Sequence, residues 1–395
     1  MARAIPLSDP VSILTLSEVF VANVCIWYVL NRLQTYARVR LLSYVVPVNL
    51  TIFAALILVN NLLRVGYSIS LLGVCAVATI LISYLVTIKV RNSGSNFRHF
   101  LVPGGAITRL KGMAGYEEVG CPQLLERMIN EDEISGSIVA DLHQDLSAEW
   151  ERLLAKAALR GIPVYHCRLI EEALTGEVRI NHLRENELGS LIPNLPYRYA
   201  KRVFDVVAVL LFAPIVLPLV CVIAMLIRLD SPGPAFFFQS RVGFRGETFR
   251  MVKLRTMRVV SKSTSANSAR EFAMTKDNDD RITKIGRFLR KTRLDELPQA
   301  WNVLIGDMSW IGPRPEAADL ALWHEGEIPF YSYRHIVRPG ITGWAQVNQG
   351  HVTDLDSIEH KLRLDFYYVK NLSLWLDVLI ALKTFRVIAG GVGAR

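Results

Sequence analysis

The hydrophobic residues of this chain are concentrated in four long stretches that are separated by polar segments. Three of these stretches open the chain, at about 11–30, 41–62 and 67–88. Each is close to the ~20 residues that a helix needs to cross the hydrocarbon core of a bilayer. The pattern therefore predicts three membrane-spanning helices within residues 1–90.

The cationic residues beside these stretches predict the orientation of the spans. Arg32, Arg38 and Arg40 follow the first stretch and Arg64 alone separates the second from the third, whereas three cations follow the last, namely Lys89, Arg91 and Arg98. Cytosolic loops are enriched in Lys and Arg. We therefore expect the N-terminus outside and everything after Ile88 inside. Glu18, within the first span, is expected either to face a neighbouring helix or to lie near the outer interface, and no role is assigned to it.

Residues 91–199 alternate between strand-like and helical segments. Strands are predicted at 99–102, 136–140 and 162–166, and a helix at 146–159. This is a small cytosolic βαβ-type module. Gly104 and Gly105 follow the first strand but lack the spaced glycines of a dinucleotide-binding turn. A packing or docking role for the module is therefore favoured over nucleotide binding.

The fourth hydrophobic stretch, at 204–227, is compatible with two topologies. Lys201 and Arg202 precede it and Arg228 follows it, so both flanks carry the cations typical of the cytosolic side. Pro214 and Pro218 near its middle each remove a backbone donor and favour a bend. The pattern alone fits a fourth crossing and a re-entrant helix equally well.

Residues 200–395 form a mainly helical, loop-rich domain. Its last apolar segment, at 367–388, intersperses apolar residues with charged ones, which fits an amphipathic helix in the membrane interface or a helix packed on the domain core. The predicted fold class is therefore a membrane α/β protein with N-terminal transmembrane helices, a cytosolic module and this C-terminal domain.

Charge is distributed unevenly along the chain. The 395 residues are 51% hydrophobic with a net charge of +9. Residues 241–314 contain 16 Lys and Arg against 8 Asp and Glu, a net of +8. This stretch predicts an anionic partner, such as a sugar nucleotide, an anionic lipid or a nucleic acid. The five cysteines are scattered without a Cys-x-x-Cys pair, so a zinc site or a disulfide framework is not expected.

Two adjacent acids, Asp295 and Glu296, directly follow a cationic helical segment at 281–293. Paired carboxylates among cations suit chemistry on phosphates, where one acid attacks or binds a metal while the cations hold negative charge. Pro298 is tolerated in a first helical turn, so Asp295 is expected near the start of the next helix. An ordinary helix N-cap is the alternative role for Asp295.

Further phosphate-binding side chains lie on both sides of the acid pair. Upstream, the segment Lys253-Leu254-Arg255-Thr256-Met257 carries two cations. Downstream, Gly312-Pro313-Arg314-Pro315 holds a guanidinium on stiff backbone. Arginine forks match the geometry of phosphate oxygens. Lys253, Arg255 and Arg314 are therefore candidate phosphate-binding residues.

From Lys201 to about Gly393 the chain resembles the bacterial sugar transferase family, the monotopic phosphoglycosyl transferases. The N-terminal spans and the α/β module resemble the enlarged branch of that family. The resemblance consists of ordered blocks: Lys201-Arg202-Val203-Phe204-Asp205, Asp230-Ser231-Pro232-Gly233-Pro234, Arg241-Val242-Gly243, Lys253 to Met257, Asp280-Arg281-Ile282-Thr283, Leu294 to Gln299, Gly312 to Pro315 and Arg338 to Gln346.

The resemblance implies a two-step reaction. Asp295 would attack the sugar-linked phosphate of a UDP-sugar, expelling UMP, and polyprenyl (undecaprenyl) phosphate would then accept the phosphosugar. Glu296 would help to bind Mg²⁺, while Lys253, Arg290 and Arg314 match positions used around the phosphates. The family also implies a helix that re-enters through a break at Pro214.

The location and pathway also follow from the resemblance. It implies a catalytic domain on the cytosolic face of the bacterial inner membrane, and exopolysaccharide, capsule or O-antigen synthesis. Two departures limit what is carried over. Ala213-Pro214 stands where many members have Ser-Pro, and the loop containing His351 differs from that of many relatives, so a substrate contact of His351 stays open.

A different class of function is kept as an alternative. The chain would then be a membrane-anchored, non-catalytic protein that binds anionic lipid or a sugar nucleotide, although a basic patch alone needs no paired acids. Nucleic-acid binding is not expected, because no recognised module is present. The sequence reveals neither the sugar nor the oligomeric state, and a homo-oligomer is left open.

Overall fold

The computed structural model describes residues 9–33, 41–93, 98–179, 193–258, 281–349 and 355–389. The chain divides into two compact units, Met1–Gly176 and Glu177–Arg395. The division into 1–90, 91–199 and 200–395 stays a prediction.

The first unit begins with three apolar helices, α1 (Pro10–Leu33), α2 (Leu42–Leu63) and α3 (Ile69–Ser93), which pack against one another. All three are long and apolar enough to cross a membrane. Most of their large apolar side chains point outward, as expected for surfaces in contact with lipid. Glu18 faces α2, as predicted, and its Oε2 accepts a hydrogen bond from Asn60 Nδ2 at 2.8 Å.

The rest of the first unit is a parallel α/β module. Its strands are β1 (Arg98–Leu101), β2 (Tyr116–Glu118), β3 (Gly136–Ala140) and β4 (Val164–His166), in the order β2-β1-β3-β4. Three helices accompany the sheet: α4 (Pro122–Asn130), α5 (Ala148–Leu159) and α6 (Cys167–Thr175). The sequence predicted β1, β3, β4 and α5. Strand β2 was missed because it is only three residues long and carries two glutamates.

The turn at Gly104 and Gly105 is closed by a carboxylate. Asp141, which follows β3, accepts a hydrogen bond from the Ala106 N–H at 2.9 Å through Oδ2. A methyl group at Gly105 would lie 2.3 Å from the same oxygen. A negative charge therefore occupies the place where a dinucleotide fold would hold pyrophosphate.

The second unit begins with the long helix α7 (Leu195–Asp230) and the antiparallel hairpin β5 (Phe236–Val242) and β6 (Thr248–Leu254). Two short parallel strands follow, β7 (Ser309–Ile311) and β8 (Gly340–Thr342). The remaining helices are α8 (Lys284–Thr292), α9 (Gln299–Ile305), α10 (Ala318–Glu327), α11 (Trp344–Asn348), α12 (Leu355–Lys370) and α13 (Leu374–Ala389). The unit is mainly helical, as predicted.

Both ends of α7 pack on the same unit. Near its start, Val209 packs with Val303 and Met308. Near its end, Ile223 and Ile227 pack with apolar residues of β6 and α8. The large apolar side chains between these contacts are mostly exposed, and α7 is the fourth helix apolar enough to cross a membrane. Helix α7 is continuous, with Pro214 and Pro218 inside it.

The apolar segment predicted over 367–388 forms parts of two helices rather than one. Helix α12 ends at Lys370 and α13 begins at Leu374. Ser373 Oγ accepts the N–H of Leu376 at 3.4 Å and so caps α13. Leu376, Leu379 and Ile380 are fully buried. This face of α13 therefore packs on the domain core, which was the alternative to an interfacial helix. An interfacial position of its exposed end, at Phe385, stays a prediction.

Candidate active site

The acid pair lies in a short 3-10 turn, Leu294–Glu296, between α8 and α9. Arg293 takes left-handed backbone angles (φ 56°) and ends α8. This abrupt stop directs the following turn back toward β6. The N-cap position of α9 is Pro298, and no side chain caps that helix. The N-cap alternative for Asp295 was therefore wrong, because the 3-10 turn places the acid before α9 begins.

Glu296 is buried between two cations. Its Oε1 accepts a hydrogen bond from Arg314 Nη2 at 2.8 Å and one from Lys253 Nζ at 3.3 Å. Burial alone would raise the pKa of Glu296, but the charges of Arg314 and Lys253 outweigh it and hold the pKa well below its usual range. Glu296 is therefore a permanent anion, fixed in position by its partners.

Asp295 is in a different state from its neighbour. It is half-buried, and it has no hydrogen bond or ion pair with any described residue. Burial raises its pKa, and the negative charge of Glu296 raises it further, while Lys253, Arg314 and Arg290 act in the opposite direction. The carboxylate of Asp295 is thus unpaired among the described residues, in a strongly cationic environment.

The segment that carries Arg314 is fixed by its own backbone carbonyls. The Pro313 carbonyl accepts the Gly340 N–H at 2.9 Å, and the Glu316 carbonyl accepts the Val242 N–H at 3.0 Å. The Arg314 and Pro315 carbonyls accept guanidinium donors from Arg334 and Arg241, at 2.9 and 3.0 Å. Four consecutive carbonyls are therefore bonded, so the guanidinium of Arg314 projects from rigid backbone.

The structure brings three of the predicted phosphate-binding cations to the acid pair. Lys253 reaches it from the end of β6, and burial, followed by repulsion from Arg314, lowers the pKa of this lysine to about 8. Arg314 is held by Glu296, whose charge raises its pKa. Arg290 donates from Nε to Thr256 Oγ1 at 3.0 Å and acts electrostatically on Asp295.

Arg255 is placed differently. Its guanidinium is buried and donates to the carbonyls of Pro232 and Ser231 at 2.9 and 2.6 Å, and to Ser231 Oγ at 2.9 Å. These bonds fasten the loop that follows α7. None of its hydrogen bonds to described residues reaches the acid pair. The geometry gives Arg255 a structural role, and a phosphate contact by this residue stays a prediction without support from its position.

Two arginines that sequence reasoning did not assign to the site support it. Arg241, on β5, is bonded to Gln239 and Pro315. Burial, and then repulsion from Arg314, lowers its pKa to about 10. Arg334 lies between the carboxylates of Glu316 and Asp365, at 3.1 and 2.8 Å. Arg241 stands in one of the quoted motif blocks, which was a usable signal, but nothing local in the sequence marks Arg334.

Two other sequence predictions concern the periphery of the site. Pro214 lies inside the continuous helix α7, so a break at this residue stays a prediction. His351 lies outside the described residues. The five cysteines are free. The sequence pattern predicted no disulfide framework.

The arrangement combines a carboxylate that has no partner within the described part of the chain, an anchored carboxylate and rigidly placed cations. Cations that are already in position stabilise charge on a phosphoryl group without reorganising. Glu296 Oε2 has no hydrogen bond to a described residue, so the anchored acid still offers one hard oxygen donor. Such oxygens are the ligands that Mg²⁺ prefers. The residues present therefore fit a site for an anionic phosphate ligand together with a divalent cation.

Comparison with known proteins identifies the family. Residues 196–391 match the family described as bacterial sugar transferase. The UDP-N-acetylgalactosamine-undecaprenyl-phosphate N-acetylgalactosaminephosphotransferase of Aeromonas hydrophila is 42% identical over 98% of this chain and 89% of that protein.

Other relatives match slightly less than half of this chain. The UDP-glucose:undecaprenyl-phosphate glucose-1-phosphate transferase of Escherichia coli K12 is 40% identical over 47% of this chain and 39% of its own length. A transferase of the same name from Xanthomonas campestris is 45% identical over 43% of this chain and 35% of its own length. The family match at 196–391 contains the acid pair and its cations. This chain belongs to the bacterial sugar transferase family.

Proposed function

We propose that this chain transfers a sugar phosphate from a UDP-sugar to undecaprenyl phosphate and releases UMP. The observation that carries the proposal is the contrast between the two acids: Glu296 is anchored by Arg314 and Lys253, whereas Asp295 has no partner among the described residues. The relatives are named for the same class of reaction. The product would begin the assembly of a lipid-linked polysaccharide.

In the first proposed step, a carboxylate oxygen of Asp295 attacks the phosphorus that carries the sugar. The bond from that phosphorus to the bridging oxygen breaks, and UMP leaves with the bond's electron pair. In the second step, a phosphate oxygen of undecaprenyl phosphate attacks the same phosphorus and releases the Asp295 carboxylate. The result is an undecaprenyl diphosphate sugar, and the enzyme is regenerated.

The cations around the acids make this attack feasible. A carboxylate and a diphosphate repel each other, so attack needs positive charge that is already in place. Arg314 and Lys253 supply that charge. Because both cations are bonded to Glu296, they do not form ion pairs with Asp295. Arg290 contributes from α8.

Mg²⁺ is proposed as the cofactor. Glu296 would hold it through the oxygen that Arg314 and Lys253 do not use, with Asp295 beside it. A divalent cation bound there would neutralise charge on the diphosphate.

For the topology, we propose that α7 enters and leaves the bilayer on the cytosolic side of the inner membrane. Both halves of α7 pack on one unit, and exposed apolar side chains run along the helix from Val203 to Leu229. Side-specific labelling of cysteines introduced at Tyr199 and Leu229 tests this topology. Both sites should react from the cytosolic side, and labelling from opposite sides would reject re-entry.

The covalent step can be tested by omitting the lipid acceptor. Purified protein is mixed with radiolabelled UDP-N-acetylgalactosamine or UDP-glucose, and UMP release and protein-bound label are measured. The first donor is chosen because of the relative that matches nearly the whole chain. We expect a burst of UMP equal to the enzyme present, with the sugar phosphate attached to the protein.

Two variants define the site of attachment. Asp295→Asn should abolish both the burst and the label. Asp319→Asn is the matched control, because Asp319 is an exposed aspartate in the first turn of α10, and it should behave as wild type. Undiminished labelling of the Asp295→Asn protein would exclude Asp295 as the nucleophile.

A further inference from the structure

A second group of cations lies away from the acid pair's ionic contacts, around the ring of Phe244. The guanidinium carbons of Arg198, Arg245 and Arg338 lie 5.7, 5.0 and 5.3 Å from the centroid of this ring. Each distance is within the range of a cation–π contact. We call Phe244 and these three arginines the Phe244 cluster.

The backbone fixes the members of the Phe244 cluster in place. Arg198 lies in the first turn of α7, and Arg245 takes left-handed angles (φ 59°) in the turn between β5 and β6. Arg338 donates from Nε to the Gly306 carbonyl at 2.9 Å, at the end of α9. Three separate segments therefore bring guanidinium groups to one aromatic ring.

No described acid forms an ion pair with the cluster, and Asp205 offsets its positive charge only in part. Arg198, Arg245 and Arg338 form no ion pair with a described carboxylate, and the neighbouring Arg202 donates to the backbone carbonyls of Val303 and Leu304. Burial, and then repulsion from Arg202 and Arg198, lowers the pKa of Arg338, although the charge of Asp205 acts in the opposite direction. A cation–π contact adds attraction but removes no charge. An anion among these groups would relieve their mutual repulsion.

The cluster also has a location that suits such an anion. A cavity adjoins the cluster, and its lining includes Arg198, Arg202, Arg338 and Asp205. Lys201 lines it too but is paired with Asp377 at 2.6 Å. The apolar face of α7 begins directly afterwards, because Val203 and Phe204 are 63% and 57% exposed. The cluster thus stands where the surface of the helix changes from polar to apolar.

We propose that the Phe244 cluster binds the headgroup phosphate of an anionic membrane phospholipid. Guanidinium forks donate in pairs to phosphate oxygens, and basic clusters beside a membrane segment are attracted to anionic lipid headgroups. Undecaprenyl phosphate also carries a phosphate group, but that phosphate must reach Asp295. The cations that act on Asp295 belong to a different group. The bound lipid would anchor the first end of α7 at headgroup level.

The test measures lipid retention rather than turnover, so its result is independent of the proposed reaction. The full chain is reconstituted in phosphatidylcholine nanodiscs containing a minor fraction of phosphatidylglycerol, and native mass spectrometry counts the lipids that stay bound. The variant is Arg198→Gln with Arg245→Gln. Neither side chain has a hydrogen bond to a described residue, so this variant is expected to fold.

The control removes two other exposed cations of the same unit, Arg228→Gln with Lys291→Gln. We expect the wild type and the control to retain one phosphatidylglycerol tightly. The cluster variant should bind it about thirtyfold more weakly, which corresponds to about fivefold for each arginine beside a membrane surface.

Four outcomes would overturn the assignment. Equal loss in the control would mean diffuse attraction, and full retention in the cluster variant would mean that the lipid binds elsewhere. Displacement of phosphatidylglycerol by undecaprenyl phosphate, one for one, would make the cluster part of the acceptor site. Displacement by inorganic phosphate would indicate a site for a soluble anion.

Discussion

Replacing Glu296 by glutamine removes a buried charge from between two cations and keeps the side-chain shape. Glu296 is 6% exposed and contacts Arg314 at 2.8 Å and Lys253 at 3.3 Å. Removing one partner of a buried ion pair costs about 3–5 kcal/mol. Lys253 can relieve part of this, because its pKa is already lowered to about 8 while Glu296 is charged, and losing that charge lowers the pKa further. Releasing the proton at pH 7 therefore costs at most about 1.4 kcal/mol. Arg314 cannot release its proton in the same way. We therefore expect the free energy of unfolding to fall by about 3 kcal/mol, near the lower end of that range.

The measurement is a double-mutant cycle on the free energy of unfolding, by equilibrium denaturation in detergent micelles. The cycle combines Glu296→Gln with Arg314→Gln, and we expect a coupling energy of about 2 kcal/mol, as for residues in direct contact. The control pair is Glu359 and Arg363, at 2.5 Å, with 39% and 34% of their side chains exposed. Its coupling should be only about 0.3–0.5 kcal/mol. A coupling in the Glu296 cycle as small as that of the control would refute the buried anchor.

Three further predictions follow from the described contacts. Lys253→Met should lower kcat for UMP release at least about 100-fold, because a preorganised cation is lost from the reacting phosphate; a change below tenfold would exclude that role. Arg255→Lys should lower the thermal unfolding temperature, because it loses donors to the Ser231 and Pro232 carbonyls. The KM for the UDP-sugar should stay unchanged in the folded protein. A raised KM would instead support the phosphate contact that the sequence predicted for Arg255. His335 is buried, and its pKa is lowered to about 3. Below the pKa of about 6.5 that this histidine has in the unfolded chain, the unfolded chain therefore binds a proton that the folded chain does not. The free energy of unfolding should fall by about 2 kcal/mol between pH 7 and 5. His335→Asn, which does not titrate, should remove that dependence in unfolding measured at both pH values.

The elements of the fold that the sequence predicted well are those set by local periodicity. The three N-terminal helices follow from runs of apolar residues, and the strands at 98–101 and 136–140 follow from short β-branched or aromatic runs between helices. The segment at 367–388 was harder to predict. Whether its apolar face meets lipid or protein depends on the rest of the domain, and the structure packs that face inward.

The chemistry of the site was partly readable from the sequence. Asp295 and Glu296 are adjacent, and the structure brings Lys253, Arg290 and Arg314 to them from three other segments. Lys253 and Arg255 are two residues apart, so strand alternation would place both on one face. Strand β6 ends at Leu254, however, and Arg255 turns to the carbonyls beyond α7. Arg334 was missed because its partners are distant in sequence.

The environments of the two acids explain why the proposed roles are divided between them. Glu296 has a strongly lowered pKa and shares one oxygen with two cations, so its electron pairs are stabilised and poorly nucleophilic. Asp295 has a raised pKa and no described partner, which makes its ionised form the more reactive carboxylate. The same anchored acid that raises the pKa of Asp295 also holds Arg314 and Lys253 in place. One buried ion cluster can therefore orient the cations for phosphate and keep its neighbour available for attack.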